Sequence, residues 1–401
     1  MLHLPLALGL TSLLLAGASG AAPLSPSESG FELVPEAAPG SLGASLTATR
    51  QGLFLSYLEP LPQGGHALRA SRLEGRRWLP ASTIVSGPQL IANWADFPAI
   101  AEAGDGSLVA HWLERIGSAG FDYGISLARS TDGGKSWQPL GRLNDDAVSA
   151  EHGFVSWVQE GSGLRAFWLD GREQPRGGAT TLRTARVGSR VEPSQWLDER
   201  VCDCCQTSAT LTDAGTLVAY RDRSAQEIRD LALGRWTGSS FLSLAGPPAD
   251  RWKITACPVN GPALAARGKQ VAVAWYTASQ EKPRVSLAFS TDAGTTFGAP
   301  IEVDGGRPLG RLGLLLLDSG EAVVSWLAAV EGGAAVQLRR VRPDGRSGAA
   351  LAVARTGTGR AGGVPRMALL ADKIYLAWVD SASQPQRLRV RELAPTELPA
   401  P

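Results

Sequence analysis

Apolar residues in this chain recur in short runs that end on an aromatic: LFLSY to Tyr57, LVAHW to Trp112, RAFW to Trp168, VAVAW to Trp275, VVSW to Trp326 and YLAW to Trp378. The steps between them are about 51 to 56 residues, and the remaining place holds LVAY followed by Arg221, where the register puts an aromatic. A second series, a strand and a turn earlier, has the same period. It runs Asp96-Phe97-Pro98, His152-Gly153-Phe154, Cys205-Gln206-Thr207, Cys257-Pro258-Val259-Asn260, Gly310-Arg311-Leu312 and Gly363-Val364-Pro365-Arg366. Each unit adds a third strand, such as GISLARS or RVSLAFS, then a turn and a short fourth strand. Closely spaced turn signals without a helical apolar period predict an all-β chain of four-stranded blades. Such repeats close into a β-propeller, which leaves only short protected edges.

Seven units fit, at residues 41–90, 91–145, 146–198, 199–250, 251–305, 306–357 and 358–397, and a six-bladed ring with a decorated N-terminus is the alternative. The last unit has only three clear strands. Phe31-Glu32-Leu33-Val34, within a leader at 23–40, is placed to supply the missing one and lock the ring.

The composition agrees with this fold: Gly 47, Pro 26 and Trp 12 suit many turns with flat side chains packed between them. A net charge of +1, from 39 basic and 38 acidic residues, gives no footprint for nucleic acid. Residues 1–22 read as a secretory signal, an apolar run from Leu4 to Leu15 followed by small residues, and are too short for a membrane anchor. The expected location is periplasmic or extracellular, with no transmembrane anchor after signal cleavage.

Two turns carry a sharper signature. Ser130-Thr131-Asp132-Gly133-Gly134-Lys135-Ser136-Trp137 and Ser290-Thr291-Asp292-Ala293-Gly294-Thr295-Thr296-Phe297 both fit S-x-D-x-G-x-x-[WF] between a third and a fourth strand. In such a hairpin the Asp binds its own turn, Gly134 or Gly294 accepts a positive φ, and Trp137 or Phe297 packs between strands. These motifs resemble the Asp-boxes of the sialidase (BNR-repeat) superfamily, where they stabilise the fold away from the active site.

The resemblance implies an arginine triad for the substrate carboxylate, a Tyr nucleophile assisted by Glu, and an Asp acid/base. Residue by residue, the F-R-I-P motif that carries the first arginine is matched by Ala95-Asp96-Phe97-Pro98, a carboxylate where a cation is needed. Arg221 and Arg284 fit the second and third arginines, and Asp122 fits the acid/base. No Tyr occurs near Gly310-Arg311-Leu312, and Cys205-Gln206 stands where the Glu belongs. Retaining chemistry through a glycosyl-enzyme then has no obvious route.

In a propeller the innermost strands all start at one end of the channel. The strand-start register therefore predicts a ring of Asp96, His152, Cys204 or Cys205 with Gln206, Cys257 with Asn260, Arg311 and Arg366 around a ligand site, or else around a water-filled mouth. Cys202, Cys204, Cys205 and Cys257 allow three pairings, and Cys257 can reach one member of the C-x-C-C cluster to form at least one disulfide. Strand alternation would put Cys202 and Cys204 on one face and Cys205 on the other. The alternatives are a thiolate site for copper or zinc with His152 as an extra ligand, and a redox-active or vicinal Cys204–Cys205 bond. Arg221 is read either as a fork for a carboxylate or phosphate or as part of a salt-bridge network with Asp222 and Asp230. His111, beside Trp112, is read as structural.

These readings converge on an exported sialidase-like propeller that binds a ligand or partner through its central cavity and is not a true sialidase. The expected partner is a carbohydrate or small anionic ligand, or another envelope protein. The alternatives are an exo-alpha-sialidase or related glycoside hydrolase of altered mechanism, using Asp96 and Asp122, and a Cys-based copper or zinc protein. No cofactor is required by the sequence.

Overall fold

The computed structural model describes residues 29–401; the expected signal at 1–22 lies outside them. Seven antiparallel sheets follow one another along the chain, each beginning at the hub and stepping outward. The innermost strands are Leu42–Thr49, Ala99–Glu102, His152–Glu160, Ser208–Thr212, Ala263–Arg267, Pro308–Leu316 and Arg366–Leu370. Blades 2 to 6 add three further strands in order. Blade 1 carries both Arg77–Trp78 and Ser82–Gly87 on its third strand.

Blade 7 supplies three strands from the C-terminal part of the chain, and Phe31–Glu32 pairs with Arg387–Leu393 as its fourth. The closing strand is thus where the sequence put it, and the ring has seven blades. Leu33 continues the closure: its N–H donates to the Val390 carbonyl at 2.9 Å, its carbonyl accepts from the Trp78 indole at 3.3 Å, and its side chain is 1% exposed. Glu32 adds an ion pair with Arg389 at 2.6 Å.

The core is distributed in wedges between adjacent blades. Leu33, Leu46, Leu55, Tyr57, Tyr375 and Val390 join blades 1 and 7, and equivalent clusters fill the other gaps. The recurrent aromatics lie on the second strand of each blade, facing the preceding one. Trp275 donates to Asp250 at 2.6 Å, Trp326 to Asp304 at 2.6 Å and Tyr220 to Asp198 at 2.7 Å, so these three rings satisfy their polar tips on the preceding blade or the chain leaving it, whereas Trp168 donates to Asp170 of its own strand and Trp112 Nε1 has no partner among the described residues. This corrects the register around Arg221. Ala219 pairs with Ser208 as Ala274 pairs with Ala263, so Tyr220 holds the aromatic position and Arg221 is the residue after it.

The two S-x-D-x-G-x-x-[WF] turns have the same geometry. Asp132 Oδ1 accepts the Lys135 and Ser136 amides at 3.0 Å each and Oδ2 accepts the Ser136 hydroxyl at 2.6 Å; Asp292 does the same with Thr295 and Thr296. Gly134 and Gly294 both sit at φ 83° and donate to Ser130 and Ser290, and Trp137 and Phe297 pack into interblade clusters. As connections between third and fourth strands, these turns lie at the end of the ring opposite the loops that enter each blade.

The closure yields a first prediction. Leu33→Ala should lower unfolding stability by about 2–4 kcal/mol in urea denaturation, as expected for truncating a buried leucine. Val34→Ala, at a side chain 71% exposed, should change it by less than about 0.5 kcal/mol.

Candidate functional site

All seven innermost strands line one central cavity of about 450 Å³, which opens where the entering loops converge. Of the residues expected at the hub, Asp96, Gln206 and Arg366 reach its wall, together with Phe97, Phe154 and Trp157.

Asp96 is held by loop chemistry. Asn93 Oδ1 accepts the Ala95 amide at 3.0 Å, turning the chain inward, and Asp96 Oδ1 accepts the Phe154 amide at 2.8 Å. Phe154 sits at φ 57° in a bulge of blade 3, and a side chain at position 153 would collide with the Asp96 carboxylate, so Gly153 is required there. Asp96 Oδ2 is buried without a partner among the described residues. Burial, outweighing the Phe154 amide and reinforced by Glu151, pushes this carboxyl well above its ordinary range. Its Oδ2 packs against Gly153, 1.7 Å from where a Cβ would stand, so burial disfavours the charged form of this carboxyl.

Three arginines surround the mouth, and they differ in what they already hold. Arg221 is 2% exposed and donates to the carbonyls of Asn260, Arg229 and Tyr276 at 2.9, 2.7 and 2.6 Å, over the Trp252 ring. It is neither a free fork nor part of an Asp222–Asp230 network. Arg311 donates to the Gly359 and Gly363 carbonyls over Trp94. Arg366 lies over Phe97, 4.9 Å from the ring centroid, and makes no hydrogen bond or ion pair with any described residue. Its guanidinium faces the cavity yet lies deep in the ring. Burial pushes it down to about 10, as it does Arg221 and Arg311, so all three stay cationic at neutral pH.

The other expected residues have different positions. His152 turns outward: its Nδ1 lies 3.0 Å from the carbonyls of Tyr123 and Ala150, and its Nε2 faces Asp146 at 3.2 Å and Asp170 at 3.7 Å. Burial opposes its protonation, but the two carboxylates outweigh this and raise its pKa. Arg172 spans Asp170, Asp145 and Asp146 beside it. With both nitrogens engaged, His152 is not turned toward the cysteines as an extra ligand.

Asn260 is a staple, accepting the Arg311 amide at 2.7 Å and donating to Leu309. Gln206 ties the loops across the mouth, donating to the Ala95 carbonyl at 2.9 Å and accepting the Gly261 amide at 3.1 Å. Asp122 caps its own loop through the Ala119 amide at 2.9 Å and does not line the cavity. Arg284 pairs with Asp250 on the outer side of blade 5. The structure does not bring Asp122, Arg221 and Arg284 together on the cavity wall.

The cysteines form two bonds, Cys202–Cys205 and Cys204–Cys257, with Cα separations of 5.7 and 6.2 Å. Residues 203 and 204 make a turn, so strand alternation does not apply and Cys202 faces Cys205. A copper or zinc site needs thiolates, which paired sulfurs do not offer, although the sulfurs of Cys202, Cys204 and Cys205 lie within 4.8 Å of one another. His111 is buried, accepts the Trp157 indole at Nδ1 at 3.0 Å, and is pushed down to about 3 by burial, so it is a neutral, structural imidazole.

Sequence reasoning missed Tyr123 and Glu151. The Tyr123 hydroxyl donates to Glu151 Oε1 at 2.6 Å behind the wall that Asp96 forms. Burial, then Asp96 and Glu151, push the phenol far above its ordinary value. A nucleophilic phenolate needs the opposite shift. No sequence signal joins the two, because they meet only through a parallel bridge between blades 2 and 3.

The sequence matches no family model, and no curated protein is similar to it. Solved structures share its fold. A protein of unknown function from Dyadobacter fermentans superposes with a TM-score of 0.52 at 14% identity over 90% of this chain and 97% of its own. An alpha-L-arabinofuranosidase from Fusarium graminearum, bound to an iminosugar inhibitor, superposes with 0.52 at 11% over 92% and 98%. A sialidase from Streptococcus pneumoniae superposes with 0.48 at 10% over 93% and 71%. At these identities the likeness is one of fold alone, a β-propeller.

The buried acid gives a pH prediction. A carboxyl whose folded pKa is raised costs stability once pH rises past its unfolded value, near 3.8. Asp96→Asn should therefore be more stable than the parent at pH 7, and the difference should vanish below about pH 4 in urea denaturation.

Proposed function

We propose that this chain is an exported binding protein that takes a small carboxylate-bearing ligand, an acidic sugar, in its central cavity without hydrolysing it. The observation that carries this is Arg366, a cation facing the cavity on an aromatic ring, its guanidinium making no hydrogen bond to any described residue. A guanidinium held in this way is a fork for a carboxylate, and Phe97 and Trp157 offer faces on which a sugar ring can stack. Burial of Asp96 disfavours its charged form, which leaves the cation unneutralised from that side. The arabinofuranosidase fold neighbour supports a carbohydrate ligand, and two disulfides support an oxidising compartment. No helix among the described residues is long and apolar enough to cross a membrane.

A hydrolase reading is disfavoured by the site itself. Asp96 has no carboxylate partner on the cavity wall at Asp122, and the Tyr123–Glu151 pair is held in its unreactive form. A docking scaffold for another envelope protein needs a contiguous exposed apolar face. The exposed Phe121, Trp196, Leu211, Leu242, Phe31 and Val34 are instead spread over blades 2, 3, 4 and 7.

Calorimetric titration with glucuronate and N-acetylneuraminate, against glucose as the neutral control, tests the reading. At least one acid should bind while glucose does not. Arg366→Met should weaken it roughly ten- to a hundredfold, the worth of a charge-assisted hydrogen bond. Equal binding of glucose, or an Arg366→Met variant that binds like the parent, would overturn the proposal. So would turnover of a fluorogenic sialoside.

A further inference from the structure

The ligand site leaves the four cysteines unused, and their arrangement is asymmetric. Cys202 and Cys205 are 0% and 1% exposed, Cys204 is 8% exposed, and Cys257 is exposed to solvent. One disulfide is therefore sealed, and the other has one exposed residue, Cys257. The two are in contact range, since the sulfurs of Cys202, Cys204 and Cys205 lie within 4.8 Å of one another.

A cation completes the group. Arg229, 2% exposed, donates from Nη1 to Cys202 Sγ at 3.3 Å, while Glu227 and Asp203 fix its guanidinium at 2.9 and 3.6 Å. A disulfide sulfur is a weak acceptor, whereas a thiolate is a strong one, and a neighbouring guanidinium lowers the cost of forming it. Cys202 is thus the sulfur of the inner pair best suited to leave as an anion.

We propose that Cys202, Cys204, Cys205 and Cys257 form a two-disulfide relay that accepts two electrons from an external dithiol. The first thiolate of the dithiol attacks the exposed Cys257 sulfur. A mixed disulfide forms, and Cys204 leaves as thiolate. Cys204 then attacks Cys205, forming a Cys204–Cys205 bond and expelling Cys202 as thiolate onto Arg229. The second thiol of the dithiol closes on its own first sulfur and releases Cys257. The dithiol becomes a disulfide; two protein disulfides become one disulfide and two thiols. Of the two protons released, one goes to Cys257 and one to solvent, because Cys202 stays anionic. Cys205 is joined directly to Gln206, which braces the cavity mouth, so the relay adjoins the wall of the ligand site without lining it.

The test is alkylation mapping of the folded protein. The chain is treated with one equivalent of dithiothreitol, quenched in acid over a time course, alkylated and mapped by mass spectrometry. The expected early product has Cys202 and Cys257 alkylated and Cys204 bonded to Cys205. In Cys204→Ser/Cys257→Ser the sealed pair should open at least about tenfold more slowly, because no internal thiolate remains beside it. Arg229→Gln should slow the appearance of free Cys202 by a similar factor, roughly tenfold. Cysteines that all stay oxidised until the protein unfolds would overturn the relay, as would an inner pair that opens in Cys204→Ser/Cys257→Ser as fast as in the parent. If a variant fails to fold, the order of alkylation in the parent decides alone: Cys205 free before Cys257 overturns the proposal. The readout is cysteine oxidation, independent of any cavity ligand.

Discussion

A ring of blades holds a cavity only if it closes, and here closure rests on two residues of backbone pairing, Phe31–Glu32 against Arg391 and Glu392. Without them blade 7 would present Arg387–Leu393 as an open edge, and its wedge with blade 1 would lose Leu33. The pairing is short, so the surrounding contacts carry it. The Leu33 amide and carbonyl are both used, its side chain is buried, and Glu32 meets Arg389. Because each core wedge is shared by two blades, an opening at this seam would shift every innermost strand relative to its neighbours. The cavity wall, built from all of those strands, depends on that single seam.

Within the closed ring, the polar groups at the mouth sort by whether folding has already used them. Backbone carbonyls freed where the loops enter the blades need donors, and Arg221 and Arg311 supply them. Their positive charge is offset by aromatic faces and by the carbonyl dipoles, and at Arg221 also by the Asp230 and Asp250 carboxylates. Arg366 has the aromatic face but not the carbonyls. Two of three similar side chains thus build the loops, and the third is left facing the cavity. The same sorting separates Asp170, fully engaged by Arg172 and Trp168, from Asp96, with one oxygen unpartnered.

The fold was legible because it repeats: an apolar run and a strand start at one period define the blades, and a three-strand last unit demands a fourth strand from elsewhere. The site was legible only in part. A strand-start register locates a backbone position at the hub but not the direction of its side chain. Bulges change that direction, as at Phe154 and Arg311, both with φ near +58°. Asp96, Gln206 and Arg366 point inward. His152 points into an acidic cluster whose members, Asp146 and Asp170, come from two other places in the chain. Tyr123 and Glu151 left no trace in the pattern, because one begins a third strand and the other ends an entering loop. The C-x-C-C run misled an alternation argument because a turn at 203–204 replaces the strand.

The turn that misled the sequence reading also links the two functional regions. Its geometry requires Cys202 and Cys205 to face each other, which leaves Cys204 to reach the next entering loop at Cys257. The chain then runs straight on into Gln206, whose amide spans from Ala95 to Gly261. Gly261 approaches the Gln206 backbone so closely that no side chain fits there. The loops entering blades 2, 4 and 5 are therefore fixed to one another at a point one residue from a sulfur. The cysteine cluster and the crosspiece of the mouth are thus immediate neighbours along the chain.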